Sequence, residues 1–471
     1  MSGKHDRQRK GLCVAMLATV AALFGVVLLT GPSLADGIGG LDGVGGLEES
    51  RAEDAKNGVP PAALSPTGEQ RSYRALRDWL EQYRGATPTF QPGQHLTAAD
   101  QEALKPFIPR PAWEYFFYPE MDMEIAATGH YSAPPEWGTK VTSGYYLDEQ
   151  GSLVGFNGGG FPFAEIRPDD PQAAVKVFWN LYWRPGASDY FMPSVSWARG
   201  QGGKLDRMFE MTITSTEYAR GDYCLVPGYE GVKFKSVMEY VSPRDLSGTR
   251  NLQTEYTDSY RENDSWLYSP AQRKPRRVLS SERTSETMGM DFIREDSNGF
   301  GGKVYEQNWA YLGKKWILAT VNVPTHPNAG GPDLWVPDKT RWKLRETHVL
   351  ELVPKSSDHP YGHKLIFVDA ETFWTLWMTA YDHNDQLLRL GQEFLKYSES
   401  YATEPAEQAP YVQVDYSQNL GQYVFLHVGN TVINAQKPHA TFVHCYVVRK
   451  GLSSGRAKQV YSLRNMVNGR R

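Results

Sequence analysis

From about Leu205 to about position 450 the chain alternates large apolar and polar residues with a period of two. Phe209, Met211 and Ile213 stand against Glu210 and Thr212. Phe234, Met238 and Tyr240 stand against Lys235, Val237 and Glu239. Leu252 and Tyr256 stand against Asn251, Gln253 and Glu255. Trp266-Leu267-Tyr268 ends at Ser269-Pro270. Trp342 and Leu344 share a face, with Lys343 and Arg345 on the other. Successive side chains of a strand point to opposite faces, so each set occupies one face of its strand. Turn residues separate the runs, as in Asp382-His383-Asn384-Asp385. The pattern predicts a mainly β (α+β) fold: a large curved antiparallel sheet, or open half-barrel, of roughly ten strands with helices on its concave side.

Before that region the period differs. Tyr73, Leu76, Leu80 and Tyr83 recur at helical spacing, and Thr97-Ala98-Ala99-Asp100 reads as a helix start. A hairpin is predicted around Asp148–Ser152, and a helix over Pro171–Tyr182 with Asp170 as its N-cap. The domain reading is 1–35, a signal peptide; 36–70, a Gly/Pro-rich arm; 71–204, mixed helices and hairpin; 205–450, the antiparallel open-barrel region; 451–471, a tail.

The signal rests on a basic start (Lys4, Arg7, Arg9, Lys10), an uncharged apolar run from Leu12 to Leu29, and small residues before a cut after Ala35. The run is long enough to leave a retained anchor open. Both readings place the rest of the chain beyond the inner membrane, in the periplasm or in association with the outer membrane. Residues 1–35 carry net +3 and the whole chain −4. The remainder is therefore acidic, which argues against nucleic-acid binding. Cys224 and Cys445 could be bridged in an oxidising compartment, although two distant cysteines make no disulfide scaffold.

Candidate chemistry is thin. Gly451-Leu452-Ser453-Ser454-Gly455 matches a nucleophile elbow, but no His follows Ser453. Gly299-Phe300-Gly301-Gly302-Lys303 suggests a phosphate loop, but Ser297 and Val304 stand where Gly and Ser/Thr are required; it reads as a loop before a strand. His359 and His363 are four apart with Pro360 and Gly362 between them, which disfavours a helical metal site. Asp291, Glu295 and Asp296 form an acidic cluster best read as solvated. No metal, nucleotide or other cofactor is expected, and no catalytic residue is assigned. The basic stretch Arg273-Lys274-Pro275-Arg276-Arg277 reads as a sheet edge guarded by charge.

Asp264-Ser265-Trp266-Leu267-Tyr268-Ser269-Pro270 with Arg273 and Arg276-Arg277-Val278 resembles the domain-of-unknown-function family 1329 of Gram-negative envelopes. So do Gly159-Gly160-Phe161-Pro162-Phe163 with Phe178-Trp179-Asn180, Asn308-Trp309-Ala310-Tyr311-Leu312-Gly313-Lys314-Lys315, and Trp335-Val336-Pro337. The resemblance runs from about 97 to about 450. It implies a likeness to the Lol lipoprotein carriers: an open antiparallel barrel around an apolar cavity, linked with export of lipid or hydrophobic compounds. It implies no catalytic residues. Asn384-Asp385 replaces a usual Gly.

Three classes follow: a carrier for a lipid or other hydrophobic molecule, a structural partner of an outer-membrane complex, and an envelope enzyme. The carrier reading leads, because apolar strand faces can line a cavity. Its lining candidates are Phe209, Met211, Ile213, Phe234, Met238, Tyr240, Leu252, Tyr256, Trp266, Tyr268, Trp342 and Leu344. Expected partners are the hydrophobic ligand and an envelope transporter or outer-membrane protein.

Overall fold

The structure is a computed structural model that describes residues 70–134, 144–156, 158, 160–219, 227–286, 289–323, 326–403, 407–409 and 412–469. The expected signal, nearly all of the arm, and Cys224 lie outside the described residues. Cys445 is buried.

Fifteen strands form one sheet: β1 (His95–Thr97), β2 (Asp122–Ile125), β3 (Asp189–Gly200), β4 (Leu205–Glu217), β5 (Val232–Ser242), β6 (Arg250–Tyr256), β7 (Asp264–Ser269), β8 (Lys274–Val278), β9 (Gln307–Ala319), β10 (Arg341–Pro354), β11 (His363–Asp369), β12 (Thr375–Tyr381), β13 (Leu387–Tyr397), β14 (Phe425–Asn434) and β15 (His439–Cys445). Their order is β1-β2-β10-β11-β12-β13-β14-β15-β3-β4-β5-β6-β7-β8, with β9 also paired to β10. All pairs are antiparallel except β2 with β10.

The sheet starts earlier than the alternation suggests. β3 lies at its centre, between β15 and β4. Eight of the twelve residues of β3 are buried, on both faces, so no alternation marks it, and Pro193 speaks against a strand.

Four longer helices accompany the sheet: α1 (Tyr73–Gln82), α2 (Ala173–Trp183), α3 (Ser454–Val460) and α4 (Leu463–Asn468). None is long and apolar enough to cross a membrane. Ser72 caps α1 by accepting from the Ala75 N–H. The Asp170 carboxylate accepts from the Gln172 N–H at 2.8 Å and pairs with Lys176. α2 then ends at Arg184, which the following Pro185 forces into an extended conformation.

The sheet is curled around α2. Phe178 packs on Trp309 of β9, ring centroids 4.9 Å apart, while Tyr182 donates its hydroxyl hydrogen to Glu255 of β6 at 2.5 Å. Nine strand steps separate β10, the neighbour of β9, from β6. At ~4.8 Å per step a flat sheet would hold them ~43 Å apart, whereas an 11-residue helix is only ~16 Å long. Only a half-barrel brings both regions to one helix. The side bearing α2 is its inner face.

The outer face is covered at two places. α1 and the segment through β2 lie over β9–β13, burying Trp79, Phe116, Trp342 and Trp377. α3 and α4 lie over β5–β8, burying Val237 and Leu252. The expected C-terminal tail is thus packed helix for much of its length, and helices occupy both faces of the sheet. Ser453 caps α3 by accepting from the Arg456 N–H, so its hydroxyl serves the helix start.

Candidate ligand cleft

Alternation assigns residues of one strand to a common face without saying which face it is. The register supplies the answer. Ile213 stands opposite Met238, and Met211 opposite Tyr240; together with Phe209 they fill the inner core beside α2. Phe234 is buried opposite Glu217 and Glu255, on the same face. Leu252 stands opposite Val237 and Trp266, one position out of phase with Met238, which faces Asn251. Leu252, Tyr256, Trp266 and Tyr268 accordingly pack with the C-terminal helices on the outer face. Trp342 and Leu344 lie under the N-terminal segment, with Phe116 edge-on to Trp342 at 5.8 Å. The single lining surface expected from alternation is therefore divided among three places.

The inner members are packed. Phe209, Met211 and Tyr240 are 0% exposed, Ile213 and Met238 1%. Met238→Trp is expected to destabilise the protein by about 1–3 kcal/mol through overpacking, read as a lowered urea midpoint.

The open space lies elsewhere, between α2, strands β6–β8 and the loop before β9. This cleft has an empty volume of about 1060 Å³, counting the part open to solvent. Of the twelve candidates only Tyr256 lines it. Its apolar wall is Phe178, Trp179, Leu181, Val278, Phe300 and Val304, with Phe178 edge-on to Phe300 at 5.6 Å.

Its polar side is built by specific backbone devices. A bulge between Val232 and Phe234 makes Lys233 an extra residue in β5, and bulges re-aim side chains. The Lys233 ammonium sits 3.1 Å from the centre of the Tyr182 ring and 3.3 Å from Glu255. The guanidinium of Arg184 stacks on Trp374 at 3.8 Å and donates to Asn298 Oδ1 at 2.9 Å.

The loop supplies Arg294, Gly301, Gly302 and Lys303. Lys303 donates to the carbonyls of Ser259 at 2.9 Å and Arg261 at 2.7 Å, and burial pushes its pKa down. Arg294 is likewise lowered by burial, with Glu282 acting against this and Arg283 adding to it, but a guanidinium stays charged. Its Nη2 has no hydrogen-bond partner among the described residues. Gly299 sits at φ +91°, and Gly302 has no room for a Cβ, which would come within 2.7 Å of the Phe300 ring.

The acidic cluster is buried rather than solvated, and its members are separately paired. Asp291 takes His439 and Thr441, Glu295 takes Arg283 and His359, and Asp296 takes Lys364 and Tyr361. His363 turns instead to Glu351. Among the described residues no group of three or more His, Cys, Asp or Glu converges as metal ligands would. β8 forms the sheet edge, where Arg277 pairs with Asp264 at 2.6 Å.

Alternation finds core faces, so it missed Arg184, Lys233, Arg294 and Lys303. The one available signal was the glycine-rich run ending at Lys303. It lacks a phosphate-loop pattern, yet it forms a wall of the cleft.

The fold and cleft define a half-barrel protein with a lined recess where the curled sheet meets its central helix. The chain belongs to the family described as a protein of unknown function, DUF1329, which matches residues 97–443. Among solved structures it is similar to a DUF1329 family protein from Desulfovibrio piger, at 17% identity and TM-score 0.42, covering 63% of this chain and 99% of that one. It is similar to a domain from Vibrio parahaemolyticus described as an outer membrane lipoprotein-sorting protein, at 15% identity and TM-score 0.41, covering 64% and 100%. A LolA superfamily protein from Nitrosomonas europaea follows at 11% identity and TM-score 0.33, covering 59% and 92%. A search of curated proteins finds no match.

Proposed function

We propose that this protein is a non-enzymatic carrier of the bacterial envelope that holds a lipid or similar amphipathic molecule in the cleft beside α2. The observation that carries this reading is the cleft itself, a recess with an aromatic and aliphatic wall on one side and charged groups on the other. Binding sites for small molecules are typically concave and mostly apolar, with a few placed polar groups. The dense inner core moves the expected cavity from the sheet's apolar face to this recess. The basic and apolar N-terminus supports residence beyond the inner membrane.

The test uses the protein isolated from periplasmic extract. Native mass spectrometry should detect an adduct that solvent extraction removes. The stripped protein should then bind the fluorescent methyl ester of cis-parinaric acid one to one, with energy transfer from the tryptophans around the cleft, among them Trp179 and Trp309. No adduct, together with no binding of the ester or of the free acid, would sink the carrier reading.

A further inference from the structure

We propose that the cleft selects an amphiphile with an anionic head, a carboxylate or a phosphate, held by Arg294 and Lys303. The inference rests on the carrier reading and adds the charge of the ligand to it.

Five cations line the cleft, Arg184, Lys233, Arg283, Arg294 and Lys303, against two carboxylates, Glu255 and Glu262. The carboxylates fall short of neutralising them. Glu255 is engaged by Lys233 and by the Tyr182 hydroxyl. Arg283 is satisfied from behind the cleft by Glu295 and Glu306. Arg294 and Lys303 make no ion pair among the described residues. Among them Lys303 hydrogen-bonds only to backbone carbonyls, and Nη2 of Arg294 finds no hydrogen-bond partner.

Both cations are half-buried, and the carboxylates that act on them, Glu282 on Arg294 and Glu255 and Glu262 on Lys303, stay outside ion-pair contact. An anion from outside the chain could make the direct contacts that these carboxylates do not. The planar fork of Arg294 suits the paired oxygens of a carboxylate or phosphate. Gly301 and Gly302 line the same recess beside Lys303 and put no side chain into it. Phe178, Leu181 and Phe300 of the same recess provide the surface for an apolar tail. One ligand that meets both halves has a charged head and a hydrocarbon body.

The experiment compares cis-parinaric acid with its uncharged methyl ester on the stripped, full mature chain at pH 8. The acid should bind about tenfold or more tightly, the value of one or two charge-assisted hydrogen bonds. Arg294→Gln and Lys303→Gln should each weaken acid binding more than ester binding and so remove much of that preference. Arg294→Lys should retain part of it. Millimolar inorganic phosphate should not displace the acid.

Equal affinity for acid and ester would overturn the inference while leaving the carrier reading intact. So would a preference unchanged in both glutamine variants. Displacement of the acid by millimolar phosphate would identify a site for a free anion and overturn the amphiphile assignment.

Discussion

Arg345→Met is expected to cost the fold about 3–5 kcal/mol, the usual penalty for removing one partner of a buried ion pair. Arg345 is 4% exposed and Asp369 0%. The guanidinium grips Asp369 through Nε at 2.6 Å and Nη2 at 2.9 Å, and Nη2 also reaches Glu371 at 2.7 Å. A third donor, Nη1, holds the Gly129 carbonyl at 3.0 Å, tying β10 to the segment after β2. Asp369 in turn accepts the N–H groups of Glu371 and Thr372, shaping the turn between β11 and β12. Methionine would leave that carboxylate buried beside an apolar chain. Urea denaturation measures the loss. The double variant Arg345→Met/Asp369→Leu should recover a good part of it, because the uncompensated charge is then gone. A single variant within about 1 kcal/mol of wild type would contradict the pairing.

Gly299→Ala is the second large expectation. At φ +91° an added Cβ is strained in any surroundings, and here it would lie 2.3 Å from the Thr375 hydroxyl oxygen and 3.0 Å from its Cβ. Thr375 cannot easily yield, because it is 1% exposed and donates to the Asn298 carbonyl at 2.8 Å. Backbone strain of about 1–2 kcal/mol adds to overpacking of about 1–3 kcal/mol. The loop must shift, and it carries Arg294 and Lys303. The variant should therefore lower the thermal midpoint and weaken parinaric acid binding together. Thr375→Ala in the same chain should restore part of the stability by removing the hydroxyl and methyl contacts, but not the backbone strain. Unchanged binding in Gly299→Ala would separate the loop from the cleft.

The fold was largely legible in the sequence because burial of one strand face leaves a period of two. β4, β5 and β10 were visible in this way. β3 was not, since burial on both faces erases the period. The turn at 382–385 was legible as well: Asp382 accepts the N–H of Asn384 at 2.8 Å, and Asp385 takes φ +62° without glycine. What alternation cannot supply is phase. Met238 and Leu252 read as equivalent, yet the pairing of Met238 with Asn251 sends them to opposite faces. The cleft was hidden for a further reason. Its charged groups come from a strand bulge, a helix end broken by proline and a glycine-rich loop. None of these has a period, and their convergence depends on the curl of the whole sheet.

The strand order also has a consequence for how the chain folds. β3 through β8 form one meander of sequence neighbours and β9 through β15 another, and the sheet is continuous between them only where β15 meets β3, with Thr441 opposite Ala198. Most neighbours within each meander are joined by short connections and can pair early, whereas the joining pair must close a loop spanning both, the slow kind of contact. A chain delivered N-terminus first exposes the long, largely apolar edge of β3 until residues 439–445 arrive. During that interval it offers a ready template for pairing with another chain. Pairing of the last strand is thus the event that covers the β3 edge.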